Sequence, residues 1–204
     1  MKVLAIDPGL SGAIVLIGPC SLDIRRDFKH HQGLADAINE LGPVADVSVI
    51  ELVHSMPGQG VASQFSFGFH AGVATGALEY AGFSIHDTRR KPLIEVTPQR
   101  WQQYYWDLLG APKGKGTRKN FDSPAVAAVL RPDSAEFLTR ECDHNTADAI
   151  LMGLWKLNNP DATTSIREKD AKRLAKEQAK AQRLAEREAK RLSRVKTRQC
   201  PARS

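Results

Sequence analysis

Cysteine is scarce in this 204-residue chain: Cys20, Cys142 and Cys200 are odd in number and widely spaced. That pattern fits neither a disulfide framework nor a zinc cluster, so a reducing compartment is the simpler expectation. Long apolar runs are missing as well. No stretch approaches the ~20 residues of a membrane span, and the opening residues lack the charged, apolar and small-residue regions of a signal peptide. The expectation is a soluble, unexported, cytoplasmic protein with no membrane partner. Acidic residues run short in one place. Residues 165–204 carry 14 Lys and Arg against 5 Asp and Glu, a net of +9, whereas residues 1–164 carry a net of −3. A basic tail on a mildly acidic body suits a polyanionic partner, with nucleic acid favoured over an anionic membrane for an unlipidated chain. A solvated tail without a specific partner is the alternative.

The length suggests one domain with material left over, assigned here as a body over 1–158 and a basic helical or disordered tail over 159–204. The body opens with Val3, Leu4, Ala5 and Ile6, an apolar run stopped by Asp7-Pro8-Gly9. This reads as a buried strand ending in a sharp turn. Burying an ionised carboxylate is costly, so Asp7 needs a hydrogen-bond donor, a basic partner or a metal ion unless it merely starts the turn. Residues 12–18 and 21–26 read as two further strands of an antiparallel meander. A helix over 33–41 follows, and Val47, Val49 and Ile50 form a strand that delivers a second carboxylate, Glu51, at its end.

Between Ser63 and Tyr80 small residues recur among Phe65, Phe67 and Phe69. Glycines lower helix propensity by up to ~1 kcal/mol each, so close approach of this helix to the sheet is the expected compensation. A strand over 93–97 and a helix opened by Thr97-Pro98 come next. Lys113, Lys115, Arg118 and Lys119 lie in a Gly-rich basic loop without the Gly-Lys-Ser/Thr ending of a P-loop; it is either a DNA-backbone contact or a solvated linker. A short helix opens at Ser123-Pro124. The last helix of the body begins near Asp143-His144-Asn145, and it puts His144 and Asp148 on one face, four residues apart. Ala147, Ala149 and Ile150 imply that this turn lies against the core. Residues 166–194 read as a long basic helix too sparse in leucine for a coiled coil.

Asp7, Glu51 and Asp148 thus each lie at a strand end or in the first turns of a helix. If the first strand and the Val47–Glu51 strand are neighbours, Asp7 and Glu51 project from one edge. An all-carboxylate cluster suits Mg²⁺ or Mn²⁺, and two such ions about 4 Å apart can drive in-line phosphodiester hydrolysis.

Five segments, Ile6-Asp-Pro-Gly-Leu-Ser-Gly12, Val49-Ile-Glu-Leu-Val53, His70-Ala-Gly-Val-Ala-Thr-Gly-Ala77, Val96-Thr-Pro-Gln-Arg-Trp101 and Asp143-His-Asn-Thr-Ala-Asp-Ala149, occur in the order found in RuvC-like Holliday-junction resolvases. Over residues 1–158 the chain resembles the phage and prophage members of that family. The resemblance implies an α/β, RNase H-like fold with a five-stranded mixed sheet flanked by helices. It also implies a homodimer that cuts four-way or other branched DNA with two divalent ions per site, in a bacterial or phage-infected cytoplasm. Asp7, Glu51 and Asp148 match the family's carboxylates. The family's fourth ligand lies about one turn before the last Asp; here Asn145 stands three before, His144 four and Asp143 five. His144 is favoured as ligand or general base, with Asp143 as substitute. Phe65, Phe67 and Met56 lie where such resolvases carry a residue that intrudes at the crossover, and the helix around 70–80 matches their dimer interface.

Three rival readings bear on the same residues. A phosphate-binding turn of the sugar-kinase and actin class needs two domains, for which the chain is too short. Another RNase H-like nuclease, acting on RNA–DNA hybrids, flaps or transposon ends, and a catalytically silent DNA-binding module complete the set.

Overall fold

The computed structural model describes residues 1–9, 11–52, 60–109, 121–140 and 143–164. These belong to one compact unit, Met1–Ser165. The basic loop with Lys113, Lys115, Arg118 and Lys119, the candidate wedge Met56 and the basic segment 166–194 lie outside the described residues.

The opening apolar run is strand β1, Val3–Asp7, and all five residues are buried. A strand covered on both faces reads as continuous hydrophobic sequence, and β1 takes the centre of the sheet accordingly. β2, Ala13–Gly18, pairs antiparallel with β1 from Val3↔Ile17 to Asp7↔Ala13, and β3, Ser21–Arg26, pairs antiparallel with β2 at the edge. Helix α1, His31–Leu41, follows, its first turn capped by His30 Nδ1 accepting from the Gly33 N–H at 3.1 Å. β4, Val47–Glu51, then returns parallel to β1, with Ile6 beside Ile50. Helix α2, Val61–Tyr80, leads to the two-residue β5, Phe83–Ser84, and to β6, Lys91–Val96, which lies parallel to β4. Helices α3, Pro98–Leu108, α4, Ser123–Leu130, and α5, His144–Asn158, complete the unit.

The strand order is β3-β2-β1-β4-β6-β5. This is the mixed sheet flanked by helices expected of an RNase H-like fold, with six strands rather than five. The extra strand is β5, whose short pairing with β6 through Phe83↔Lys91 left no run long enough to read in the sequence.

Alternation along the strands divides the interior in two. Val3, Ala5, Val15, Ile17, Val47 and Val49 face α3, α4 and α5, where Trp101, Tyr105, Ile150, Leu151 and Trp155 meet them. Leu4, Ile6, Ile14, Leu16 and Ile50 face the other way, onto Leu34 and Ile38 of α1 and Leu78 of α2. Each fully buried side chain of this size contributes about 2 kcal/mol over its exposed state. Within the first core the Tyr105 hydroxyl donates to the Leu151 carbonyl at 2.7 Å, and burial raises its pKa. The chain stays on the sheet beyond α5, because the Thr164 hydroxyl accepts from the Glu95 N–H and donates to the Glu95 carbonyl, both at 3.3 Å.

The small residues of α2 do not do what the sequence suggested. A Cβ built on Gly68, Gly72 or Gly76 meets no atom within 4 Å, so these glycines face open space and not the sheet. Ala74 and Leu78 are the buried residues of this 20-residue helix, which packs beside α1.

The close approach is found in α5 instead. A Cβ on Gly153 would stand 2.5 Å from Ile17 Cγ2 and 3.3 Å from Ala5 Cβ. Gly153→Ala is expected to cost about 1–3 kcal/mol by overpacking. Combining it with Ile17→Ala should destabilise by less than the sum of the two single changes, as measured by denaturant unfolding.

Candidate active site

Strand periodicity decides where the carboxylates point. Asp7 follows Val3 and Ala5 with a spacing of two, and Glu51 follows Val47 and Val49 in the same way, so both share the sheet face that α5 covers. The parallel pairing that sets Ile6 beside Ile50 places the two carboxylates on adjacent strand ends. Asp7 is held there by the turn after it. Gly12 N–H donates to the Gly9 carbonyl at 3.2 Å, and a Cβ on Gly12 would lie 2.1 Å from the Asp7 carbonyl oxygen, so no other residue fits the return into β2.

The third carboxylate comes from α5. Asp148 lies one turn after His144, and both line the same cleft as Asp7 and Glu51, a space of about 630 Å³ that also touches Asn145, Ser11, Phe67 and His70. Asn145 Nδ2 donates to the Ser11 carbonyl at 2.8 Å and so ties α5 to the turn behind Asp7. The structure therefore gathers Asp7, Glu51, Asp148 and His144, which are up to 141 positions apart in the sequence.

Electrostatics make this cleft unusual. Burial, then the charge of Glu51, then that of Asp148 hold the Asp7 carboxyl well above the ordinary carboxylate range. Glu51 is pushed up to about 7 by burial and by Asp148, although Trp101 Nε1 donates to its Oε1 at 3.2 Å and works in the opposite direction. Asp148 is raised to about 6 by burial, against the Ser123 hydroxyl bonded to it and the nearby His144. Its Oδ1 is buried without a hydrogen-bond partner. Buried acceptors are normally satisfied, so this atom marks a place where a cation or a donor belongs.

The donor set suits a hard divalent ion: three carboxylates whose mutual repulsion such a charge would relieve, and one orphaned carboxylate oxygen among them. Among the described residues no three His, Cys, Asp or Glu groups form a preassembled metal site. Mg²⁺ does not require one, since it is commonly held by one or two carboxylates together with waters and substrate phosphates.

Asp143, the substitute fourth ligand, is placed elsewhere. It is fully buried, with Oδ1 accepting from Arg26 Nη1 at 2.8 Å and Arg140 Nε at 2.9 Å, and Oδ2 accepting from the Arg140 N–H at 2.8 Å. Burial alone would raise its pKa; the Arg140 hydrogen bonds and the Arg26 charge overrule that and hold it below the ordinary range. It anchors the start of α5, its oxygens engaged by arginines and turned away from the residues that line the cleft, among which His144 stands. Of the aromatic candidates, Phe67 lines the cleft, whereas Phe65, 76% exposed, lies on the opposite face of α2 with Val61 and Gly68 and does not line it.

Four contributors escaped the sequence reading. Trp101 counted as an apolar helix residue and Ser123 as a helix starter, yet they hydrogen-bond Glu51 and Asp148. Ser63 and Ser66 gave no chemical signal at all, although the spacing of Ser63, Ser66, Phe67 and His70 places them on one helical face.

No protein-family model and no curated protein sequence matches this chain. Among solved structures the fold is similar to that of Thermus thermophilus RuvC in complex with Holliday junction substrate, at 15% identity and a TM-score of 0.47, over 77% of this chain and 92% of that one. It is also similar to a second Thermus thermophilus RuvC structure, at 16% identity and a TM-score of 0.45, over 77% of this chain and 93% of that one. Both likenesses are of fold alone.

Proposed function

We propose that this chain is a divalent-metal-dependent endonuclease that cuts four-way or other branched DNA junctions by in-line hydrolysis of a phosphodiester. The observation that carries the reading is the convergence of Asp7, Glu51 and Asp148 on one cleft, where burial and the charge of Asp148 push Glu51 up to about 7 and burial pushes Asp148 up to about 6. Carboxylates are not held at such mutual cost for structure alone, because replacing them by neutral side chains would relieve it.

Asp7, Glu51 and Asp148 would hold the ions, with His144 as the fourth group. When bound, two Mg²⁺ or Mn²⁺ ions supply charge neutralisation and a lowered water pKa at the attacking and leaving oxygens. The chain's own residues do the rest. Trp101 Nε1 orients Glu51 through Oε1, and Ser123 orients Asp148 through its hydroxyl. His144 either completes the ligand set through one ring nitrogen or, unligated, takes the proton of the attacking water, and Asn145 holds the Asp7 turn in register with α5. Phe67, which lines the cleft, stands where an aromatic side chain could enter an opened crossover; Phe65, the other aromatic candidate, lies on the outer face of α2. The basic loop carrying Lys113, Lys115, Arg118 and Lys119 and the part of the 159–204 tail beyond Ser165, which carries all its basic residues, would add backbone affinity, with a protein as the tail's other candidate partner.

A junction has two strands to cut, which calls for two sites. The outer face of α2 supports a homodimer: Val61 and Phe65 are 83% and 76% exposed, and Gly68, Gly72 and Gly76 continue the same face with room for a second backbone. Gly72→Leu combined with Phe65→Asp should convert a dimer into a monomer in light scattering while leaving the thermal transition in place. A wild-type monomer at micromolar concentration would remove the dimer.

Cleavage of a labelled synthetic four-way junction, beside linear duplex and an RNA–DNA hybrid, with Mg²⁺, Mn²⁺ or EDTA, tests the activity. Paired symmetric nicks in the junction are expected with either metal and none with EDTA. Asp7→Asn and Glu51→Gln should each reduce the rate by at least about 10³-fold while retaining junction binding; full activity in either variant would overturn the site.

The raised carboxyls also predict how stability depends on pH. A carboxyl whose folded pKa exceeds its unfolded value of about 4 supports folding fully below that pH and loses the contribution as pH rises through the folded pKa, here about 6 to 7. The metal-free protein should therefore lose about 2 kcal/mol between roughly pH 5 and pH 8 from this cleft. Glu51→Gln should flatten the slope, and Mg²⁺ should raise Tm more at the higher pH. A Tm insensitive to Mg²⁺ at both values would count against carboxylate-bound metal.

A further inference from the structure

The cleft has a wall that the carboxylate chemistry does not use. Along α2 the side chains of Ser63, Ser66, Phe67 and His70 fall at i, i+3, i+4 and i+7, and all four line the space shared with Asp7, Glu51 and Asp148. Its chemistry is the reverse of the sheet side. Two hydroxyls and an imidazole can each donate a hydrogen bond, and α2 carries no acidic residue before Glu79.

His70 is also held in place. Its ring centroid stands 4.8 Å from that of His31 at the start of α1 and 6.2 Å from that of Phe69, and His31 meets Phe69 edge-on at 4.6 Å. The His31 Nδ1 is buried without a hydrogen-bond partner. Packing from the neighbouring rings backs His70 on the side of α1. Burial and then the neighbouring His31 lower the His70 pKa, and an imidazole in either protonation state has an N–H to donate.

A phosphodiester entering this cleft meets like charge from the sheet edge. Donors to its non-bridging oxygens are needed from another direction, and α2 offers them in a row that spans ~10 Å along the helix axis. We infer that His70 grips the backbone phosphate next to the scissile one, that Ser66 and Ser63 donate to the same strand further along its backbone, and that His31 is the positioning residue that fixes the His70 ring. This rests on the endonuclease reading, since it needs a DNA strand in the cleft. It assigns to α2 the task of holding the strand while the carboxylates act on the neighbouring bond.

The test is steady-state cleavage of a four-way junction by the full chain with Mg²⁺. His70→Ala should raise KM about tenfold, the loss expected for one hydrogen bond to a charged group, with kcat changed by less than about twofold and Tm retained. His70→Gln keeps a donor and should recover most of the loss. His31→Ala should raise KM in the wild-type background and add nothing to His70→Ala. Junctions carrying a single uncharged methylphosphonate near the cut locate the contact: one position should be penalised in the wild type and not in His70→Ala. Should His70→Ala fail to fold, the double variant Ser63→Ala/Ser66→Ala, altered at exposed positions, carries the same KM prediction. A wild type that cuts junctions beside a His70→Ala enzyme with unchanged KM, or methylphosphonate penalties identical in the two enzymes, overturns the phosphate grip alone. A wild type that neither binds nor cuts branched DNA overturns the nuclease reading and the grip with it.

Discussion

The burial of three neighbouring carboxylates at one end of the sheet is the constraint around which this protein is arranged. Like charges in a space partly withdrawn from water separate, take up protons or recruit a cation. Separation is prevented here by covalent and packing geometry. Asp7 and Glu51 are the last residues of two neighbouring parallel strands, and Asp148 is fixed by a helix that cannot lift away without opening the core between Gly153 and Ile17. What the cleft cannot relieve by movement it expresses as raised proton affinity, with Glu51 near 7 and Asp148 near 6.

Several features far from the carboxylates serve the same end. The Asp143 carboxylate, ringed by Arg26 and Arg140, is a fully satisfied buried ion-pair network one residue before His144. Buried charges of this kind are stable only when each oxygen is engaged, and that requirement locks the start of α5 against β3, the strand that carries Arg26. At the other end of the helix, Lys156 Nζ donates to the carbonyls of Pro160 and Ala162 at 2.5 and 3.0 Å and secures the exit of the chain. α5 is thus pinned at both ends while its first turn faces the cleft. Asp143 and Asp148 are both aspartates on this segment and are opposite in electrostatics: one is held down by arginines, the other pushed up by burial.

The two faces of the sheet divide the labour. On one, α3, α4 and α5 build a dense interior that presents Trp101, Ser123 and Asp148 at its upper edge. On the other, α1 and α2 cover the sheet more lightly, and α2 leaves an outer face exposed while its inner end reaches the cleft with Ser63, Ser66, Phe67 and His70. One helix can therefore border a substrate on one side and a second subunit on the other.

Periodicity and turn chemistry were sufficient to read most of this from the residues. The run ending in Asp7-Pro8-Gly9, the strand ending in Glu51 and the helix bearing His144 and Asp148 are local patterns, and the structure places each within a few residues of its expected bounds. Asp7 and Glu51 were legible as candidates because a carboxylate at the end of an apolar strand is conspicuous in one dimension, and His144 and Asp148 because a spacing of four puts both on one helical face. Tertiary structure alone decided the rest. That α2's glycines face space and Gly153 faces Ile17 depends on which helix lies on which sheet face, which no spacing encodes. That Asp143 meets two arginines depends on Arg26, 117 positions away, and that Trp101, Ser123 and His70 meet the site depends on partners from other elements. Sequence determines what each segment buries; contacts between segments decide which polar group is left facing which.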